Sequence, residues 1–573
     1  MTESAVPDAA RGPAPPPWWR DAVIYQVYPR SWADSDGDGI GDLPGITARL
    51  GHLASLGVDA LWLSPFYPSP QRDGGYDVSD YRDVDPRFGT LADFDALLAR
   101  AHELGLRVLV DLVPNHTSSD HTWFQDALRA GPGSPERARY LFRDGQGDSG
   151  DDPPNNWTST FGGPGWTRIT EPDGSPGQWY LHMFDVSQPD LDWTNSEVHE
   201  ELESVLRFWL DRGVDGFRID VAHGLVKTEG LPDAHTPHGF DTDPTSQSPM
   251  WDQPGVHDIY RRWRQITDEY ATPGEDADRI LCAEAWVKPA EALASYVRAD
   301  ELHQSFNFAF LMTPWLAADL RTIVDETLAA AAAVGAPQTW VLSNHDVVRH
   351  ATRLGYEQTP GLKPPRGVGA DDPQPDAALG LRRARAATTV MLGLPGSAYL
   401  FQGEELGLPE ATRLPDDVRQ DPTWERSDHT EHGRDGCRVP MPWEGSTPSL
   451  GFGPGAETWL PQPAEYGALA VDRQRGVDGS TLELYRTLLR LRRELRLGRG
   501  SLTWYDAGDH DVLAFTRTSG DGQQTVLVMA NLGTSPAPLP DGARVLAASS
   551  PDVAPDVGVP IDTAVWAEID PSA

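Results

Sequence analysis

The chain has 573 residues, a formal net charge of −39, 39% hydrophobic and 9% aromatic residues, and 20 Trp. That length predicts one large domain with satellites, and that apolar content excludes a disordered chain. The acidic surface repels phosphate backbones and anionic lipid, so neither nucleic acid nor a membrane is an expected partner.

Cys282 and Cys437 are the only cysteines, which excludes a disulfide framework and a cysteine-built zinc site. Residues 1–17 are rich in Ala and Pro and carry no apolar core of a signal peptide. No later run is apolar and long enough to span a bilayer. The expectation is a soluble cytoplasmic protein, a monomer or a homo-oligomer.

In chain order, Ala22 to Tyr28 alternates as a strand and feeds Asp34-Ser-Asp36-Gly-Asp38-Gly-Ile40-Gly-Asp42. Acidic residues at every second position, with glycines between, make an oxygen cage for a hard divalent cation such as Ca²⁺ or Mg²⁺. Pro44 to Leu56 reads as a helix ended by Gly57, and Val58 to Pro65 as a buried strand. A helical stripe of Leu91, Phe94, Leu97, Leu98 and Leu104 follows, stopped by Gly105. Leu106 to Val113 is a third strand, ending near Asn115 and His116.

Residues 117–187 break the pattern, are rich in Gly, Pro, Asp and Trp, and read as an inserted subdomain. Helical periodicity returns after Asn195, an N-cap, and stops at Gly213. Strands then fall near Phe217, Leu281, Phe306, Val341 and Leu400, with a long excursion from His223 to Gly255. Eight strands with intervening helices predict a (β/α)₈ TIM barrel, class α/β. Ser480 and Glu483 form a capping box for a last helix. The tail reads as all-β, with a hairpin turning at Ser519-Gly-Asp-Gly522. The expected division is a barrel of residues 18–116 and 188–500, the insert 117–187, and a β-sandwich at 501–573.

In such a barrel, polar residues at the carboxyl ends of strands converge. Those residues are Asp111, Asn115 and His116; Arg218 and Asp220; Glu284; and His345 and Asp346. Arg218 and Asp220 lie two apart on a strand and share a face, so the guanidinium is expected to lower the Asp220 pKa and keep it ionised. Three carboxylates without a nucleophilic Ser or Cys suggest glycoside hydrolysis, in which one carboxylate attacks and another is acid and then base.

Asp111-Leu-Val-Pro-Asn-His116, Gly216-Phe-Arg-Ile-Asp220, Glu284-Ala-Trp286 and Asn344-His-Asp346 resemble, in order, the four signature regions of the α-amylase family of glycoside hydrolases. Gln188-Pro-Asp-Leu-Asp192 is similar to a fifth, which marks the α-glucosidase and oligo-1,6-glucosidase branch. The resemblance runs from about Trp18 into the β-rich tail. It implies that Asp220 is the nucleophile, Glu284 the general acid/base, and Asp346 the holder of the sugar 2- and 3-hydroxyls. It implies that Arg218 positions Asp220, and that His116 and His345 bind glucose hydroxyls. Asp73, Tyr76, Arg434 and Phe161 would shape a closed glucose pocket. Asp34, Asp36, Asp38, the Ile40 carbonyl and Asp42 would hold one structural cation, and no organic cofactor is implied.

The implied reaction is release of terminal non-reducing α-glucose with retention, and a carboxyl separation of about 5–5.5 Å between Asp220 and Glu284. In this branch a valine after the nucleophile goes with α-1,6 linkages, and Val221 fits that. Val221-Ala-His-Gly224 departs from it and looks more like actinobacterial α-glucosidases that take maltose-type sugars, so short α-1,4 substrates are favoured. Alternatives are an oligo-1,6-glucosidase, and an enzyme that transfers or isomerises glucosyl groups. A non-catalytic barrel of the transporter-associated kind would lack the three carboxylates. An endo-acting amylase would lack the Gln188-Pro-Asp motif and the closed pocket.

Overall fold

The computed structural model describes residues 17–235, 248–271, 278–508, 511–519, 522–554 and 556–570. Most of the N-terminal tail, the middle of the 223–255 excursion and the tip of the Ser519–Gly522 turn lie outside the described residues.

Eight strands form one parallel sheet: β1 Val23–Val27, β2 Ala60–Leu63, β3 Arg107–Leu112, β4 Gly216–Ile219, β5 Ile280–Ala283, β6 Gln304–Ser305, β7 Thr339–Val341 and β8 Ser397–Phe401. Their order is β7-β8-β1-β2-β3-β4-β5-β6. A parallel bridge between Phe306 and Thr339 joins the two ends, so the sheet closes on itself as the sequence predicts. The sixth strand is shorter than expected. Asn307 accepts a hydrogen bond from the Phe310 N–H and caps the helix Phe308–Met312, which ends the extended chain there.

Apart from Arg107 at the start of β3, the residues on β1 to β5 are buried on both faces, as parallel strands covered by helices require. Each helix shows its local cause. Thr90 and Asp93 make a reciprocal capping box for Leu91–Glu103. Asn195 caps Ser196–Arg212, which ends at Gly213 with φ 98°. The capping box expected at Ser480 is only half formed. Ser480 accepts from the Glu483 N–H, but the Glu483 carboxylate turns to the Gly476 N–H instead.

The segment after β3 holds the helix Thr122–Ala130 and a small antiparallel sheet of Phe142–Arg143, Pro176–Leu181 and Trp166–Thr170. The tail folds as one five-stranded antiparallel sheet, Thr503–Trp504, Val512–Thr518, Thr525–Asn531, Thr563–Ile569 and Arg544–Ala548, where a sandwich was expected. A barrel helix, Ala377–Gly393, takes the place of a second sheet. Trp566 Nε1 donates to the Thr389 carbonyl at 2.8 Å. A Cβ on Gly393 would come within 2.7 Å of Val528, so only glycine allows the helix so close.

Candidate active site

Register builds the site floor. Asp111 on β3 pairs directly with Arg218 on β4, and Arg218 with Cys282 on β5. Arg218 is fully buried, and it bridges three carboxylates. Its Nη1 donates to Asp111 Oδ1 at 3.0 Å and to Asp220 Oδ1 at 2.6 Å, while Nη2 lies 3.0 Å from Glu284 Oε2. Asp220 and Glu284 are the first residues past β4 and β5, so both carboxyls stand on adjacent nitrogens of one rigid guanidinium. Asp111 is fully spoken for: it also accepts from Trp62 Nε1 and the Tyr76 hydroxyl.

Glu284 is held on both oxygens. Oε1 accepts from Trp286 Nε1 at 2.9 Å, and Oε2 accepts from the Val221 N–H at 2.9 Å.

A second arginine organises the opposite wall. Arg434 Nε donates to Asp421 Oδ2 at 2.5 Å, Nη1 to Asp346 Oδ1 at 3.1 Å, and Nη2 to Asp73 Oδ1 at 2.5 Å. Its guanidinium lies over the Phe161 ring, 4.8 Å from the centroid. Arg438 adds a donor to Asp346 Oδ1 at 3.1 Å. Gln188 Nε2 donates to Asp73 Oδ2 and lies 3.0 Å from His116 Nε2. His345 stacks on Tyr76 at 5.0 Å and 8°, with its Nε2 3.3 Å from Asp346 Oδ2. Asp346 has 25% of its side chain exposed, against 8% for Asp220 and 4% for Asp73, so the cavity opens past Asp346.

Protonation follows from burial. Desolvation holds His116 down to about 4 and His345 well below the ordinary imidazole value, so both rings are neutral near pH 7. Burial raises Asp73 to about 6 against the opposing charges of Arg434 and Arg438. For Asp346 burial is outweighed by the Arg434, Arg438 and Arg218 guanidiniums, which hold it well below the carboxylate range. Asp220 departs from the sequence expectation. Burial, opposed by Arg218 but reinforced by Glu284, Asp111 and Asp346, pushes its carboxyl well above the ordinary range. Arg218 cannot keep Asp220 ionised alone, because it is shared among three acids.

The ten residues expected around the glucose pocket fall in one connected network of hydrogen bonds, ion pairs and ring contacts. Sequence reasoning missed five partners: Asp111 as a hub, Gln188, Trp286, Asp421 and Arg438. Asp111, Gln188 and Trp286 stood inside motifs already noted and Arg438 lies four residues past Arg434, while Asp421 lies in a long irregular loop with no pattern to mark it.

In the acidic loop, oxygens of Asp34, Asp36 and Asp42 all lie within 4.8 Å of one another, a hard-donor set that fits a divalent cation. Asp38, expected in that set, is exposed and outside the cluster; its Oδ1 accepts from the Ile40 N–H instead. Among the described residues no helix is long and apolar enough to cross a membrane.

A closed parallel barrel with acid pairs at its strand ends defines a glycoside hydrolase type of centre. Comparison with known proteins agrees. The family described as "Alpha amylase, catalytic domain" matches residues 26–499. A probable alpha-glucosidase of Rhizobium meliloti is 40% identical over 528 residues, covering 88% of each chain. An oligo-1,6-glucosidase of Parageobacillus thermoglucosidasius is 34% identical over 560 residues, 91% of this chain and 92% of that one. The crystal structure of an α-glucosyl transfer enzyme, XgtA, superposes with a TM-score of 0.83 at 38% identity, covering 97% of this chain and all of the other. The chain belongs to the α-amylase family of glycoside hydrolases.

Proposed function

We propose that this enzyme is a retaining, exo-acting α-glucosidase that removes terminal non-reducing α-glucose from short α-glucosides, with α-1,4 linkages favoured. The observation that carries it is the pair of arginine hubs. Arg218 joins Asp220 and Glu284 on one side, and Arg434 joins Asp73 to Asp346 on the other.

In the first step the Asp220 carboxylate attacks C1, the glycosidic C–O bond breaks, and Glu284 gives its proton to the leaving oxygen. The sugar remains as a β-glucosyl ester on Asp220. In the second step Glu284 takes a proton from water, the water oxygen attacks C1, and the ester bond breaks to free α-glucose and the Asp220 carboxylate. Asp346 accepts hydrogen bonds from the 2- and 3-hydroxyls, and neutral His116 and His345 bond neighbouring hydroxyls. Tyr76 and Phe161 wall the sugar. Asp34, Asp36 and Asp42 would hold one Ca²⁺ or Mg²⁺, which would tie the loop together. The reading places the protein in the cytoplasm, acting on small oligosaccharides.

The 40% identity to a probable alpha-glucosidase supports the α-glucosidase reading. A second reading, transfer of glucose to a sugar hydroxyl rather than to water, is favoured by the likeness to XgtA. Glucose release from maltose, isomaltose, sucrose, trehalose and soluble starch, with Asp220→Asn as control, tests both. Maltose cleaved ahead of isomaltose and starch, and lost in the variant, is expected. Products larger than the substrate would favour transfer.

A further inference from the structure

Val221 is buried and β-branched, yet its φ is +46°, a conformation such residues rarely adopt. The surroundings impose it from both sides. Asp220 N–H donates to the Leu112 carbonyl, Ala222 N–H to the Glu284 carbonyl, and Gly224 N–H to the Val221 carbonyl, each at 2.8 Å. The Tyr260 hydroxyl donates to the Ala222 carbonyl. The Val221 side chain packs in an apolar cluster with Leu231, Met250, Trp251 and Phe184. The turn is so tight that a Cβ on Gly224 would meet Val221 Cγ1 at 2.6 Å and Trp251 at 2.8 Å.

What this strained turn achieves is the aim of one N–H at Glu284 Oε2. The Arg218 guanidinium lies 3.0 Å from the same oxygen, so a positive charge and an N–H donor both disfavour a proton on Oε2. Oε1 has Trp286 Nε1 alone and keeps one lone pair open. We propose that Val221 is a positioning residue for Glu284: its main-chain N–H fixes which carboxyl oxygen carries the transferable proton, and the apolar cluster behind it holds that aim. The role belongs to the backbone amide and is separate from any linkage preference of the side chain. It rests on Glu284 being the proton donor.

The test compares substrates whose leaving groups differ in their need for a proton. Maltose needs one, and α-glucosyl fluoride does not. Glu284→Gln should cut kcat/KM for maltose far more than for the fluoride; if it does not, the assignment of Glu284 itself falls. Val221→Gly accepts the positive φ without strain but frees the turn. It should lower the maltose-to-fluoride ratio of kcat/KM by roughly tenfold, part of the 10²–10⁴ that general acid catalysis supplies. Val221→Thr, branched and equally rigid, should restore the ratio. Gly224→Ala, which presses on Val221 from behind, should act in the direction of Val221→Gly and serves if that variant does not fold. A ratio unchanged in folded Val221→Gly or Gly224→Ala, or one that falls as far in Val221→Thr, would overturn the proposal.

Discussion

Arg434 Nη2 lies 2.5 Å from Asp73 Oδ1, and that bond joins segments 361 residues apart in the chain. In the proposed reading it closes the far end of the glucose site, which favours a chain end over the middle of a glucan. Arg434→Ala leaves Asp73, Asp346 and Asp421 without their shared cation. Removing one partner of a buried pair costs about 3–5 kcal/mol, so this variant should unfold at clearly lower urea and bind maltose weakly. Urea melts and the KM for maltose check both.

The pH dependence of stability has a definite sign. Burial raises Glu404 to about 8 and Glu410 to about 7. Both bind protons more tightly folded than unfolded, so their contribution is full at low pH and is lost as pH rises through those values. His116, His121 and His182, held down to about 4 by burial, work the other way and add stability as pH climbs from about 4 to 6.5. Above pH ~6.5 the loss from the glutamates remains, on the order of 2 kcal/mol by pH ~8.5, and the raised Asp220 carboxyl acts in the same direction. Urea midpoints should fall over that window. Glu404→Gln and Glu410→Gln should flatten the fall.

Removing divalent cations with a chelator should lower the melting temperature by a few degrees, and Ca²⁺ in excess should restore it, with little change in glucose release. Asp36→Ala should abolish the response. Asp38→Ala should keep it, because Asp38 stands outside the cluster.

A net charge of −39 repels itself at low ionic strength. Thermal stability should rise as NaCl is raised from millimolar towards 0.5 M, where the Debye length shrinks below about 5 Å. A flat response would contradict this.

The barrel was legible because the strands are short buried runs stopped by Gly, Pro, Asn or an acid, with helical periodicity between. Asp220, Glu284 and Asp346 were legible because polar residues just past such runs have one place to go. Partners that meet only in three dimensions were not legible. Nothing local couples Asp421 to Arg434. The Arg218 charge beside Asp220 could be read in sequence, but its sharing with Asp111 and Glu284, and the burial that reverses the shift, could not. The apolar face around Val528 and Trp566 demanded a cover, but periodicity does not say whether a sheet or a helix supplies it.

The central claim is that Asp220 attacks the anomeric carbon and water then displaces it, which inverts that carbon twice. A ¹H NMR time course of maltose hydrolysis, begun before mutarotation blurs the anomers, tests this most directly. The account predicts that the glucose released from the non-reducing end appears first as the α-anomer. β-Glucose as the first product would contradict it.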